Sequence, residues 1–401
     1  MRFEYSYLSE NLIEQYSPLL RRAYPDQFFF FYPERLKWLP RDNGELPVLI
    51  ARQGSRIAAW MWLQKSAVFV HDSILEDAFF SVNTFTIPEF RRLGIGTHLQ
   101  NMAASKHSLL WSISMSTQNR RNREHLGWGS GEPLRVYCLR VGKFDRTKLF
   151  SGFFDYCKRK HLYALSVILR LADALGMGAF SHLVINLHYP RWKYCNLRND
   201  LFFKVVSLYD EEWDNLFLRI RRRYNFGVNR NAAWMNWNYV SQPHLHFFRY
   251  AVYCDGKLIG TVVFRAFEPG ELPHGIITEL LLDVKEDDSV YFDVLQFAIE
   301  KLSMLQCQYV YFGTSEAKYQ KILQRIGFRC TDHLVPMCHY QSDTGEPLPL
   351  PKDKWLLSMG DQDIAQYCVS RHPSAKLMLT KLLQNSFLSR CRGKNSCTVG
   401  E

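Results

Sequence analysis

Several familiar signals are missing from this 401-residue chain. It has no long uninterrupted apolar run: the most apolar stretch, LYALSVILRLADALGMGAFSHLVINL at 162–187, is broken by Arg170, Asp173 and His182. The longest charge-free piece of that stretch falls short of the roughly 20 residues that cross a bilayer, so a buried or interfacial helix pair is expected there. The amino-terminal MRFEYSYLSE lacks the apolar core of a signal peptide. Ten cysteines are scattered without a regular framework, which reads as free thiols in a reducing compartment and a cytoplasmic location. No nucleic-acid motif with interleaved aromatics stands out, so DNA is not an expected partner. Also absent are the Gly-Lys-Ser/Thr of a nucleotide triphosphatase loop and the third glycine of a dinucleotide fingerprint.

What is present is ample core material. Hydrophobic residues make up 47% of the chain and aromatics 15%, which argues against global disorder. The length suits two domains. The formal net charge of +11 is partly localised, because residues 143–198 carry ten Lys/Arg against three Asp/Glu and 371–401 carry six against one. Such a balance suits phosphorylated ligands, a polyanion or an anionic membrane surface.

Periodicity divides the chain into two similar passes. The first, 1–142, opens with a strand at 3–8 and a helix in SENLIEQYSPLLRRAY. A hairpin at 47–64 turns on Gln53-Gly54-Ser55-Arg56. A strand at 77–87, a helix at about 97–108, a strand at 109–117, a short helix closing at Gly127 and a last strand at 134–141 follow. Residues 143–198 read as a basic helical connector. The second pass, 199–345, repeats the order, with a hairpin on Asp255-Gly256, a strand at 275–284, an amphipathic helix at 289–305, and a helix ending at Gly327. Residues 346–401 form an extension with a basic tail.

The segment PEFRRLGIGTHL at 88–99 places Arg91, Arg92, Gly94 and Gly96 between a strand and a helix. The first amides of a helix have no intrahelical partner, and the helix dipole adds partial positive charge, so such a turn holds anions. With its context, SVNTFTIPEFRRLGIGTHL resembles the acyl-CoA motif of the GCN5-related N-acetyltransferase (GNAT) superfamily, Gln/Arg-x-x-Gly-x-Gly/Ala after the fourth strand. STQNRRNREHLGW resembles that family's next landmark, an Asn-bearing strand-to-helix junction and a helix ending in Gly-aromatic.

The resemblance implies an α+β chain made of two α/β/α acyl-CoA N-acyltransferase units with mixed sheets, the second degenerate. At its loop position that second unit reads VKEDDSVYF, without glycine and with Glu286, Asp287 and Asp288. The resemblance further implies that acetyl-CoA or another acyl-CoA is the co-substrate, with no metal. Phe85, Thr86 and Ile87 would pair with the pantetheine arm. The amides of Arg92, Leu93, Gly94, Ile95, Gly96 and Thr97, helped by the charge of Arg91, would hold the pyrophosphate. Asn119 or Asn122 would touch the pantetheine. The expected reaction is N-acyl transfer to a primary amine of a small molecule or amino sugar.

Two departures bear on catalysis. Where many relatives carry a strand Glu, this chain has Asn83, and where many carry a Tyr, it has Arg123. The candidates to replace them are His125, Glu76, Asp77 and His71, with Tyr137 or Tyr32 as acids. Two further readings stay open: an aminoacyl-tRNA-dependent peptidoglycan ligase of the Fem type, and a non-catalytic CoA-binding scaffold. Phe28 to Tyr32 suit either an acceptor wall or a core cluster. Cys330, His333, Cys338 and His339 have metal-ligand chemistry, but a closing hairpin there would turn neighbours to opposite faces.

Overall fold

The computed structural model describes residues 2–24, 33–41, 44–142, 167, 198–267, 274–283, 288–316, 319–340 and 350–361. The first part contains β1 (Glu4–Leu8), α1 (Ile13–Ala23), α2 (Pro33–Trp38), β2 (Leu46–Gln53), β3 (Arg56–Lys65), β4 (Val68–Val70), β5 (Ser73–Leu75), β6 (Ala78–Thr86), α3 (Ile95–Ala104), β7 (Leu109–Ser112), α4 (Thr117–His125), β8 (Gly129–Ser130) and β9 (Leu134–Arg140). The second contains β10 (Leu201–Val205), α5 (Glu211–Arg221), β11 (Phe226–Val228), α6 (Ala232–Met235), β12 (Phe248–Cys254), β13 (Lys257–Ala266), β14 (His274–Leu282), α7 (Asp288–Met304), β15 (Tyr309–Thr314), α8 (Gln320–Ile326), β16 (Arg329–Leu334), β17 (Met337–Tyr340) and β18 (Trp355–Leu356).

Local chemistry accounts for most boundaries. The β2–β3 hairpin turns at Gly54 with φ +59°, and the β12–β13 hairpin turns through Asp255 and Gly256, both at positive φ, the backbone of a type I′ turn. Ser116 Oγ accepts from the amide of Asn119 and caps α4, and Asp210 caps α5 in the same way. Gly327 closes α8 at φ +105°.

Two seven-stranded sheets result, ordered β1-β2-β3-β6-β7-β17-β8 and β10-β12-β13-β14-β15-β9-β16. Each is antiparallel except for one parallel pair, β6–β7 in the first and β14–β15 in the second. The sequence reading closed each sheet with its own last strand, and the structure corrects this. Strand β9 leaves the first unit and inserts between β15 and β16, while β17 leaves the second and pairs with β7. The expected closing hairpin at 329–340 is therefore divided between two sheets, and Cys330 and His333 are parted from Cys338 and His339.

A third sheet, β18-β11-β4-β5, joins both halves and was not anticipated. Its strands have two or three residues each, too short to show an alternation pattern. The first sheet packs α3 on one face, around Met61, Phe79, Leu99 and Leu110. Its other face meets α1 and α2 around Trp60 and Trp62, and meets the second half around Phe80, Trp111, Phe226 and Trp355. The core of the second half lies between its sheet and helices α7 and α8. Among the described residues no helix is long and apolar enough to cross a membrane. The stretch 162–187 and Phe28–Tyr32 lie outside the described residues, Val167 apart.

Candidate active site at the split of the first sheet

The parallel strands β6 and β7 share only three rungs, ending at Phe80–Trp111. Beyond that rung β6 runs on to Thr86, paired as a strand with β3 only among the described residues, so the sheet splits toward the turn before α3. Two features shape this edge. A bulge interrupts the β3–β6 register opposite Trp60–Trp62, and within it Asn83 takes φ +51°, a region that asparagine tolerates better than most side chains. A bulge of this kind re-aims main-chain groups. Further along, the Ile87 amide donates to Ala58 O. Since successive residues of a strand turn their main-chain groups to opposite sides, Thr86 is the residue that presents its amide to the open edge. Its carbonyl accepts from Arg91 Nε at 3.1 Å. Of the expected trio Phe85–Ile87, then, Ile87 has its amide turned to β3.

The turn itself leads into a helix start through residues of left-handed backbone. Gly94, at φ +74°, is the N-cap of α3, a conformation that costs other residues ~1–2 kcal/mol. Arg92 adopts φ +65° without that freedom. Gly96 has ordinary backbone angles, and a Cβ there would meet only Thr86 Oγ1, at 3.9 Å. The glycine thus keeps space clear over the helix start rather than relieving a clash. Arg91, Arg92, Leu93, Gly94 and Thr97 are exposed, whereas Ile95 is buried and anchors the helix.

Helix α4 forms the other side. Gln100 Nε2, on α3, donates to Asn119 Oδ1 at 3.2 Å and joins the two helices beside the split. Asn122 accepts from Gln118, one turn back along α4. Arg123 is 1% exposed, and its Nη2 donates to Ser81 Oγ at 2.9 Å. Ser81 is the first β6 residue past the last rung, and its carbonyl accepts from Ser112 Oγ of β7 at 2.8 Å. The guanidinium lies 4.3 Å over the Trp128 ring, and its Nε and Nη1 have no partner among the described residues. Burial lowers its pKa to about 9, only partly offset by the nearby Cys338 thiol. Among the described residues no carboxylate pairs with this buried cation at the closed end of the split. The residue was legible in the sequence as a departure, but not as a buried one.

Not every candidate is brought to this place. Glu76 lies exposed before β6, seven residues from Asn83, so about 23 Å of strand separates them. Asp77 accepts from the Ser108 amide and hydroxyl and pins the closed end of β6 and β7. His71 is in the β4–β5 turn. His125 is exposed in the last turn of α4, and Tyr137, on the transferred β9, is buried in the second half. Tyr32 lies outside the described residues. Asn83 is at the split, with an amide side chain that cannot take a proton.

The second sheet has its own split. Strands β14 and β15 pair from His274–Tyr309 to Ile277–Phe312 and then part. Here the chain fills the gap: Ser358 bridges Thr314, and its hydroxyl donates to Glu279 Oε1 at 2.8 Å. Gly360 packs so tightly that a Cβ would come within 1.9 Å of Tyr239 Oη and 2.5 Å of Glu279 Oε1.

No protein-family model and no curated protein sequence matches the chain. Solved structures do. A GCN5-related N-acetyltransferase from Anabaena variabilis superposes with a TM-score of 0.54 at 11% identity, covering 84% of this chain and 73% of that one. Saccharomyces cerevisiae N-myristoyltransferase with bound myristoyl-CoA gives 0.55 at 12% identity, over 88% of this chain and 89% of that one. A tandem GNAT protein from the clavulanic acid biosynthesis pathway gives 0.50 at 11%, over 85% of this chain and all of that one. The chain has the GNAT fold. The tandem GNAT protein matches across most of the length, as two similar sheets in one chain require. In GNAT terms, among the described residues the open split is in the first unit and the filled split is in the second.

Proposed function

We propose that the protein is an acyl-CoA-dependent N-acyltransferase whose first unit binds the acyl-CoA. The observation that carries this reading is the contrast between the splits. Among the described residues the first is open beside a helix start led by left-handed Gly94, while the second is occupied by Ser358 and Gly360. The solved relatives named as an N-acetyltransferase and as an N-myristoyltransferase with bound myristoyl-CoA support the class.

In this reading the free amides from Arg92 to Thr97 and the charges of Arg91 and Arg92 hold the diphosphate. The pantetheine arm runs down the open edge past Thr86 and Asn119 and brings the thioester to the bulge at Asn83, where main-chain donors polarise its carbonyl. An amine attacks, the C–N bond forms and the C–S bond breaks. The departing thiolate lies toward Arg123, whose buried charge stabilises it. Acetyl is the proposed acyl group, and a small primary amine or amino sugar the acceptor. The second unit shapes the acceptor side and binds no CoA.

The test is calorimetric titration with acetyl-CoA, longer acyl-CoAs and free CoA, with Gly96→Trp as control. Micromolar binding that the variant loses supports the reading, and the preferred chain length assigns the acyl group. Absence of binding to any of them overturns it.

A further inference from the structure

Between the two units lies a buried charge that does not balance. Arg230, between β11 and α6, donates from Nε to Glu279 Oε1 at 3.2 Å and from Nη2 to Asp361 Oδ2 at 2.5 Å. Tyr239 Oη donates to the same Glu279 oxygen at 2.7 Å, and the Ser358 amide donates to Asp361 Oδ2 at 2.8 Å. One guanidinium thus faces two carboxylates, and all three groups are less than 5% exposed. Glu279 Oε2 and Asp361 Oδ1 have no partner among the described residues. An uncompensated buried carboxylate is costly, and it is stabilised by gaining a proton or a cation.

Asp361 also lines a cavity of about 10 Å³ with Trp234 and, from the first sheet, Gln64, Ser66, Phe80 and Trp111. That is room for one water-sized group, the size of an ammonium head. The ring faces of Phe80, Trp111 and Trp234 among its walls suit a cation. The position relative to the split matters most. Phe80 and Trp111 form the last rung before it opens, and Arg123 touches Ser81, the next residue, from the opposite face. The bulge at Asn83 is three residues beyond Phe80, at most about 10 Å along the strand.

We infer that this cavity is the site for the ammonium group of the acyl acceptor, and that Asp361 takes the proton that makes the amine nucleophilic. The inference rests on the acyltransferase reading above and supplies the base that Asn83 cannot be. The ammonium gives one proton to the Asp361 carboxylate. The neutral amine then leaves the cavity for the thioester at the bulge, where its lone pair forms the C–N bond as the C–S bond breaks, and the second nitrogen proton ends on the thiolate. Ammonium, thioester and carboxylate become amide, thiol and carboxylic acid.

The groups facing Asp361 agree with that role. Arg230 and Glu279 are the charged neighbours, Tyr239 is held by Glu279, and the lining from the first sheet is uncharged. Burial, with Glu279 adding to it and Arg230 opposing, raises the Asp361 carboxyl to about 6, so it is a free base at neutral pH and strong enough to compete for a proton.

The experiment uses the full chain and methylammonium as probe, read by tryptophan fluorescence because two indoles wall the cavity. Saturable quenching or enhancement by methylammonium is expected, with methanol inert. The response should weaken about tenfold per pH unit below 6. Asp361→Asn should lose it while keeping acetyl-CoA binding by calorimetry. An equal response in Asp361→Asn, or no saturable response in the wild-type protein, overturns the inference. The pH dependence in wild-type protein decides the matter even if the variant folds poorly. Loss of acetyl-CoA binding in the wild type would instead strike the acyltransferase reading, so the two failures are distinct.

Discussion

Arg123 and Asp361 approach the first sheet at one level from opposite faces. Arg123 bonds Ser81, Asp361 shares a cavity with Phe80, and adjacent strand residues point to opposite sides. Among the described residues, a cation that no carboxylate pairs thus stands behind the split and an excess carboxylate in front of it. That polarity suits a reaction in which a proton leaves on one side and a thiolate on the other.

Arg123→Gln should lower kcat by about 100-fold, the scale of losing one preorganised charge donor, and leave acyl-CoA affinity within about threefold. Steady-state kinetics and calorimetry separate the two. With a pKa of about 9, the charge is lost as pH rises through 9, so wild-type turnover should fall on that limb, and the limb should be missing in Arg123→Gln.

The same residue carries a stability cost. Its folded pKa lies below that of a free guanidinium, so the unfolded chain holds the proton more tightly. The penalty is fully present below pH 9 and shrinks as pH rises above it. Arg123→Met should therefore raise the thermal midpoint at pH 7 by a few degrees, in line with the ~1–4 kcal/mol gained when buried charges become apolar. A lowered midpoint would contradict a desolvated cation.

The glycines of the turn should separate fold from ligand. Gly96→Ala has room for its methyl and should leave the thermal midpoint unchanged. Gly96→Trp should remove acyl-CoA binding. Gly94→Ala must hold a left-handed backbone and should cost ~1–2 kcal/mol, measurable as a shifted urea midpoint.

His125→Ala and Glu76→Gln should leave kcat within about twofold, because both side chains are exposed away from the last shared rung. A loss of 100-fold in either would place the base elsewhere than at Asp361.

The exchanged strands β9 and β17 predict that neither half folds alone. A chain divided within 143–197 should give soluble protein only when both pieces are expressed together. Each sheet otherwise lacks an inner strand and exposes a long edge. Recovery of either piece as a folded monomer would refute this.

Much of the architecture was legible in the sequence because its signals are local. Alternation at 77–87, helical spacing at 289–305, and the turns at Gly54, Asp255-Gly256 and Gly327 each depend on near neighbours, so the two-pass order and the strand-turn-helix at Gly94 follow from residues close in sequence. Tertiary structure alone decided the rest. Nothing within residues 134–141 says which sheet will bury a strand that is apolar on both faces, and the answer came from β15 and β16, nearly two hundred residues away. Nothing near Arg123 reveals that it is buried without a carboxylate, and nothing in SMGD marks Asp361 as a partner of Arg230 and Glu279. Burial and charge balance are properties of what packs around a group, and packing joins residues whose spacing in the chain carries no signal.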